Sequence, residues 1–165
     1  MNNFKAMILS PRKLNFFLSF KLPSAFLCGV RALSIDEKRC KVTVRHRWIN
    51  QNPFNSIFWA VQGMAAELST GALVMLHIRN SAQPISMLVT SNKASFSKKA
   101  KGRVYFVCSE GDKVKQIVKR AIETGEGQTF WMHSIGKDQD GTVVSNFEFE
   151  WSIKLRKEPK VIPGI

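Results

Sequence analysis

A long apolar segment near the middle of the chain constrains the fold more than any other feature. Between Asn55 and His77, the only charged side chain is Glu67. A helix that is apolar on every side is usually buried in a protein core. The segment is nearly long enough to cross a bilayer, but Gln62 and Glu67 in its middle would be penalised there. We therefore predict a long helix in the core of a globular domain.

Glu67 is a candidate functional residue on physical grounds. A carboxylate inside an apolar helix is costly unless it is hydrogen-bonded, paired or protonated. We expect Glu67 to be largely buried, with its pKa raised by desolvation. Two interpretations remain open: a structural glutamate held by Ser69, Thr70 or a backbone amide across an interface, or a catalytic acid.

Length and composition indicate a single domain. The chain has 165 residues, of which 44% are hydrophobic and 22% charged, which is typical of a globular protein. We predict one domain over residues 1–165, with an N-terminal helical segment at 1–29 and a loose tail at 157–165. The apolar residues between Phe4 and Val30 are interrupted by charges and a proline, so they do not form a signal-peptide core.

The cysteines and histidines favour neither a disulfide framework nor a metal site. The three cysteines are odd in number and form no CxxC pair. The three histidines are far apart and show no metal-binding spacing. We therefore predict reduced thiols, no metal, no cofactor and a cytoplasmic location.

The net charge of +13 indicates an anionic partner or a well-solvated basic surface. The basic residues are dispersed along the chain, and no helix-turn-helix, RRM-like or zinc-finger motif accompanies them. Binding to nucleic acid is therefore disfavoured. The phosphates of a smaller ligand such as coenzyme A would be served by the same charge.

Capping residues and apolar periodicity predict three helices. Ser10 and Pro11 mark the start of a first helix that ends near Leu22. Asn55 or Ser56 is predicted to cap the central helix, which runs to about Ile78. The third helix is amphipathic; it lies between Ser109 and Gly125, with Asp112 as its cap and Gly125 as its stop.

Alternation of apolar and polar residues predicts an antiparallel sheet. In one strand, Cys40 to Trp48, every second residue from Cys40 onward, including Trp48, is expected to face the core. The other predicted strands are Val30 to Ile35, Ile85 to Phe96, Arg103 to Ser109, Gln128 to Gly136, and a last strand that carries Phe147 to Leu155. A sheet wrapped around one apolar helix is an α+β arrangement.

This arrangement resembles the hotdog fold over about Pro11 to Leu155. The segments Leu22–Arg31 and Ala65–Gly71 are similar to a thioesterase-like branch of that superfamily whose function is uncharacterised. The resemblance implies an α+β hotdog domain, in which an antiparallel sheet surrounds one long central helix, with an N-terminal helix and one inserted helix. It also implies sites formed between two protomers, in a homodimer or a dimer of dimers.

The resemblance assigns roles to individual residues. Hotdog thioesterases place an acid in the central helix as base or nucleophile, a position that Glu67 matches. They take an oxyanion donor from a backbone N–H about two turns earlier, at Trp59 here, and an amide in the preceding loop, here Asn52, contacts the thioester or the water. Phe58 and Ser91 are the predicted substrate-binding residues, and Ser91 is also a weaker candidate for holding the water.

Two functions follow as hypotheses. The first is a thioesterase that hydrolyses an acyl-CoA or acyl-carrier thioester. The second is a non-catalytic hotdog module that binds an acyl or CoA-like ligand, because Phe58 and Trp59 stand where many active members carry His-Gly or Gly-Gly and would narrow the acyl tunnel. A dehydratase is disfavoured, since Pro53 and Ala72 occupy the positions where its histidine would stand.

Overall fold

A computed structural model describes residues 10–156 of the chain. The predicted tail at 157–165 and the first nine residues lie outside the described part. The helices are α1 (Pro11–Lys21), α2 (Pro23–Leu27), α3 (Trp59–Asn80) and α4 (Gly111–Thr124), and a short 3-10 turn spans Trp48–Asn50. The strands are β1 (Arg31–Ile35), β2 (Cys40–Arg45), β3 (Ile85–Phe96), β4 (Arg103–Cys108), β5 (Gln128–Lys137) and β6 (Val143–Leu155).

The six strands form one antiparallel sheet in the order β1-β2-β4-β5-β6-β3. The sheet wraps around α3, which packs mainly on β2, β4 and β5. Its inner face is apolar, with buried residues such as Val42, Phe106, Met132, Phe149 and Ile153. Each such side chain stabilises the fold by about 1.5–3 kcal/mol when it is fully buried. The predicted α+β hotdog architecture is confirmed.

The two edges of the sheet differ. At β1, α1 takes the place of a neighbouring strand: the Asn15 amide donates to the Ala32 carbonyl and accepts from the Ala32 N–H, both at 2.9 Å. Leu14 and Leu18 bury the inner side of α1. At the other edge, the twelve-residue strand β3 has neighbours on only one side, and most of its second half is exposed. An uncovered edge of this length can pair with another chain.

The inserted helix α4 confirms the predicted amphipathic pattern. Val114, Val118 and Ala121 are buried, and Gly125 ends the helix in a left-handed conformation with φ +69°. The predicted cap was wrong: Glu110 occupies the cap position, and Asp112 lies in the first turn. The Gly111 N–H donates to the Lys38 carbonyl at 2.9 Å, which fixes the start of α4 against the β1–β2 turn.

Replacing Gly111 with alanine should destabilise the protein strongly. An added Cβ would collide with the Glu37 carbonyl oxygen and would lie 2.7 Å from the Lys38 Cα, and neither backbone atom can move without shifting the turn. We expect the free energy of unfolding to fall by about 3 kcal/mol, as measured by urea denaturation. Gly63→Ala is the matched control, since its nearest neighbour would lie at 3.6 Å. Equal unfolding midpoints for the two variants would contradict this prediction.

Two predictions about the strand that begins at Cys40 were wrong: that it continues to Trp48, and that Trp48 faces the core. Strand β2 ends at Arg45, and Trp48 is exposed in the 3-10 turn rather than facing the core. The Asn50 side chain stabilises this turn, since it accepts from the Arg47 N–H and donates to two carbonyl oxygens.

No helix within residues 10–156 has the length and apolarity that a membrane span requires.

The helix starts also depart from the predictions. Helix α3 begins at Trp59, later than predicted, and neither Asn55 nor Ser56 caps it. Ser10 does precede α1 as predicted, but its side chain makes no capping hydrogen bond.

The cysteines are free thiols in this structure. Cys40 and Cys108 are directly opposite each other on β2 and β4, and both are buried. Burial raises the pKa of the Cys108 thiol to about 12, and it also raises that of Cys40. Both side chains therefore serve the core as small apolar groups rather than as nucleophiles.

Candidate active site

A groove of about 390 Å³ opens at the amino end of α3. Two of the predicted site residues, Asn52 and Trp59, line it together. The remaining lining comes from the loop before α3, from α3 itself and from the segment after β3: Phe54, Ser56, Ile57, Gln62, Phe96, Ser97, Lys98, Lys99 and Ala100.

The Asn52 side chain organises the loop that forms one wall of this groove. Its Oδ1 accepts hydrogen bonds from the Phe54 N–H at 3.0 Å and the Ser56 N–H at 3.2 Å. Its Nδ2 donates to the Ser56 hydroxyl at 3.0 Å. An amide nitrogen carries two hydrogens, and the second has no acceptor among residues 10–156. Asn52 can therefore hold the loop and still donate one hydrogen bond into the groove.

The start of α3 offers free backbone donors. Phe58 occupies the cap position, and within the described residues no side chain caps the helix. The first amides of a helix lack partners inside the helix and carry the positive end of its dipole. The Trp59 N–H is the first of these. An unpaired N–H beside a groove is suited to bind a carbonyl oxygen that becomes negative during a reaction.

The two aromatic rings at this helix start do not fill the protein interior. Phe58 and Trp59 pack edge to face, with their ring centroids 5.9 Å apart. The Trp59 side chain is 57% exposed and forms part of the groove wall, while Phe58 is not among the lining residues.

Glu67 is exposed in the single chain, so the prediction that it is largely buried was wrong. The predicted direction of its pKa was right, because desolvation by neighbouring protein atoms raises it. The apolar surroundings are close by: Gly63 and Gly71, one turn to either side of Glu67, lie against the rings of Phe147 and Trp151. Glu67 is thus exposed on a side of α3 whose neighbouring turns, at Gly63 and Gly71, lie against residues of β6.

The hydroxyl groups near Glu67 are engaged elsewhere. The Ser69 hydroxyl donates to the Ala66 carbonyl and is paired with the Ser134 hydroxyl at 2.7 Å. The Thr70 hydroxyl donates to the backbone carbonyl of Glu67 and accepts from the Trp151 indole N–H at 3.1 Å. Neither therefore holds the carboxylate, which removes two of the structural roles that the sequence left open.

Within one chain, Glu67 and the groove are separated. A helix rises 1.5 Å per residue, so Trp59 and Glu67 lie roughly 12 Å apart along α3. Ser91 is also remote, because the strand register pairs it with Glu150 on the outer face of the sheet. The structure therefore brings Asn52 and Trp59 together, but not Glu67 or Ser91.

Sequence reasoning missed several residues that line the groove. Gln62 is buried; its side chain donates to the Ile57 carbonyl at 3.1 Å and accepts from the Ser145 hydroxyl at 2.9 Å. Its signal was present, since Gln62 is a polar residue near the start of an apolar helix. Lys98 and Lys99 belong to a basic run, but only the folded chain shows that they stand beside the start of α3.

A second cavity, of about 470 Å³, lies at the carboxyl end of α3, where His77 and helix α4 contribute to its lining. This end of a helix presents carbonyl oxygens rather than free amides. The buried His77 ring is already bonded through Nε2 to the Glu37 carbonyl at 2.8 Å. We therefore place the candidate active site at the amino end of α3.

Solved structures define the class to which this architecture belongs. A probable thioesterase of unknown function from Pseudomonas aeruginosa superposes with a TM-score of 0.76 at 20% identity, over 91% of this chain and 99% of the other. A protein of unknown function from Chlorobaculum tepidum gives 0.74 at 15% identity, over 90% and 98%. A thioesterase from Haemophilus influenzae gives 0.67 at 12% identity, over 92% and 94%. These similarities show the thioesterase-like hotdog fold.

The family follows from the sequence itself. Residues 12–153 match the family described as "Domain of unknown function (DUF4442)", and the chain belongs to that family. A comparison with curated proteins found no match.

Proposed function

We propose that this protein is a thioesterase that hydrolyses an acyl-CoA or acyl-carrier thioester. The observation that carries the proposal is the uncapped start of α3, where Trp59 and Asn52 line one groove. The thioesterases among the structures of the same fold support the reaction class. The groove offers donors for a carbonyl oxygen, and Glu67 offers a base.

The chemistry uses a water molecule and no covalent intermediate. The Glu67 carboxylate removes a proton from water as the water oxygen bonds to the thioester carbonyl carbon. The Trp59 N–H stabilises the negative oxygen of the tetrahedral intermediate. As the C–S bond breaks, the leaving sulfur takes the proton from the Glu67 carboxylic acid. The products are a carboxylic acid and a free thiol, and Asn52 orients the substrate.

With Trp59 and Glu67 separated in one chain, the proposed mechanism requires two protomers. A water and a carbonyl that react must approach within about 3–3.5 Å, and a gap of roughly 12 Å in one chain is too long for a carboxylate to bridge. In a symmetric dimer, Glu67 of one copy can face Trp59 of the other, and the reverse pair forms a second site. The open edge at β3 supports this assembly, because it leaves backbone groups of the sheet free for a second copy.

We therefore expect a homodimer in solution, with a mass about twice the 18.7 kDa of the chain. Ala94 pairs with Phe147 and so lies on the inner face of β3, whereas Ser95 pairs with Asn146 on the outer face. Ala94→Asp should give monomers, because it places an unpaired charge in the interface, and Ser95→Asp should remain dimeric. Light scattering at micromolar concentration measures both. A wild-type protein of 18.7 kDa would exclude the shared site.

Lysines beside the groove are expected to bind the phosphates of coenzyme A. Lys99 and Lys98 line the groove, and Lys98 is paired with Asp138 at 3.0 Å. Lys99→Gln should weaken CoA binding about threefold to fivefold at low salt, with a smaller loss at high salt. Calorimetric titration measures the affinity. Lys115→Gln, on α4, is the matched control, and an equal loss there would show a general charge effect rather than a site.

The alternative function is a non-catalytic module that binds an acyl or CoA-like ligand. The bulky Trp59 ring in the groove wall favours it, because it would narrow the approach to the donors. An assay of thiol release from a panel of acyl-CoAs separates the two functions. Turnover that depends on Glu67 supports the enzyme, whereas binding of acyl-CoA without thiol release supports the module.

A further inference from the structure

Large apolar side chains stand exposed on the side of the molecule formed by α1, α2 and the 3-10 turn. On α1, Phe16 and Phe20 are 68% and 71% exposed and pack on each other at 5.2 Å. Leu27, at the end of α2, is 66% exposed, and Trp48 is 83% exposed. We name these four side chains the N-terminal patch. Isolated exposed apolar residues are ordinary, but a group of this size indicates an interaction surface.

Two contacts join the segments that carry the patch. The Asn50 amide donates to the Cys28 carbonyl at 2.8 Å, which holds the turn bearing Trp48 against the end of α2. Helices α1 and α2 are separated only by Leu22 and pack on each other. The four side chains therefore belong to one region of the surface.

The charge around the patch has a single sign. The first acidic residue of the sequence is Asp36, and none occurs between Arg39 and Glu67. The segments that form this region instead carry exposed basic side chains: Arg12, Lys13, Lys21, Arg45 and Arg47. Arg12 and Lys13 lie on the outer side of α1, the same side as Phe16 and Phe20, because Leu14 and Leu18 bury the inner side.

The arrangement fits a lipid surface better than a folded protein partner. A protein interface is shape-complementary, with an apolar centre and a polar rim. Here the apolar side chains project from two helices and a turn, and basic residues are interspersed among them. Aromatic rings and basic side chains on one face are typical of segments that lie in the headgroup region of a bilayer. The basic residues would contact anionic headgroups, and the rings would enter the boundary with the acyl chains.

We propose that the N-terminal patch binds the protein reversibly to anionic membrane surfaces. The edge strand β3, at the opposite side of the sheet, remains free for a second copy. A homodimer would then carry two patches, and membrane binding does not depend on the proposed hydrolysis.

The test is co-sedimentation of the full chain with vesicles. The probes are vesicles of phosphatidylcholine alone and of phosphatidylcholine mixed with phosphatidylglycerol. We expect binding to the mixed vesicles, little binding to the neutral ones, and a loss of binding as salt rises. Arg45→Gln/Arg47→Gln should lower the partition coefficient about 25-fold, at roughly fivefold for each charge. Phe16→Ser/Phe20→Ser should lower it about tenfold or more.

Two control variants match these changes elsewhere on the surface. Leu88→Ser removes a side chain that is 65% exposed on β3, and Lys115→Gln/Lys119→Gln removes two exposed charges from α4. Both should bind as the wild type does. Each changed side chain is exposed, so thermal unfolding should show intact folds.

Several outcomes would overturn the proposal. They are an absence of wild-type binding to the anionic vesicles at low salt, equal binding of the wild type and the patch variants, and equal losses in the controls. Failure to bind vesicles, together with a lower oligomeric mass for Phe16→Ser/Phe20→Ser, would instead make the patch an interface between copies. Retention on duplex DNA that does not depend on Phe16 and Phe20 would make it a nucleic-acid surface.

Discussion

Replacing Glu67 with glutamine is expected to lower kcat/KM for thioester hydrolysis by about 10²- to 10⁴-fold, the range that a general base supplies. Glutamine keeps the size of the side chain but cannot accept a proton from water. Thiol release from the best acyl-CoA of a panel measures the loss. Binding of the substrate should change little, because the contacts proposed for it come from Asn52 and Trp59. Full activity of Glu67→Gln would contradict the proposed mechanism.

The dependence on pH provides a second measure of the same residue. Glu67 must be ionised to act as a base, so activity should rise with pH through its pKa. Desolvation raises that pKa, so the rise should lie above the range of an ordinary glutamate. Any residual activity of Glu67→Gln should not show this rise with pH.

The stability of the same variant separates lost chemistry from lost fold. A carboxyl group whose pKa is raised by folding binds its proton more tightly in the folded state than in the unfolded state. Its contribution to stability therefore falls as pH rises from the unfolded pKa to the folded one, and stays low above both. Glutamine does not ionise, so the variant does not lose this stability as pH rises. Glu67→Gln should consequently melt no earlier than the wild type at neutral pH.

Replacing Trp59 with proline is expected to lower kcat by about 10²- to 10³-fold, because it removes the proposed oxyanion donor. Proline is well suited to the first position of a helix, where the N–H has no partner inside the helix. Phe58, with φ −58° and ψ 137°, already has the conformation that a residue before proline requires. The helix should therefore form normally.

The matched control is Trp59→Ala, which removes the same ring but keeps the N–H. Trp59→Ala should retain most of the activity. Its activity should exceed that of the wild type if the indole ring narrows the approach to the groove. Equal losses for the two variants would mean that the indole ring, not the backbone amide, is the important group.

Mixing the two inactive variants tests whether the site is shared. In a dimer of one Glu67→Gln chain and one Trp59→Pro chain, one of the two sites would combine an intact Trp59 with an intact Glu67 from the other copy. Random mixing of subunits should then restore about one quarter of the wild-type activity, since half of the dimers are mixed and each has one intact site. No recovery would mean that the two residues do not act across an interface.

The elements that the sequence predicted well are those in which neighbouring residues carry the signal. Strand β6 alternates buried and polar residues from Phe147 onward, and α4 repeats its apolar residues at helical spacing before Gly125. Both patterns arise from local geometry, since side chains alternate along a strand and recur every three or four residues along a helix. These elements could therefore be predicted without knowledge of distant contacts, whereas the hotdog arrangement was predicted from the family resemblance.

Where the sequence misled, a contact between distant residues decided the outcome. Alternation continues from Cys40 to Trp48, yet Asn50 bonds to the Cys28 carbonyl and turns the chain outward after Arg45. Glu67 has apolar neighbours in sequence, but its side chain is left exposed in the folded chain, and no local pattern shows which side of a buried helix stays uncovered. The candidate site was predictable only in part, because Lys98 and Lys99 meet the start of α3 through the fold alone.

The cover that α1 places on β1 limits how large an assembly can become. A sheet with two bare edges can add chains at both ends without limit, as filaments do, whereas a sheet with one bare edge can join only one further copy. Asn15 supplies the two hydrogen bonds that an incoming strand would otherwise make with Ala32. Pairing through β3 would thus end after a single step. Two chains would share one sheet of twelve strands, and no bare edge would remain for a third chain.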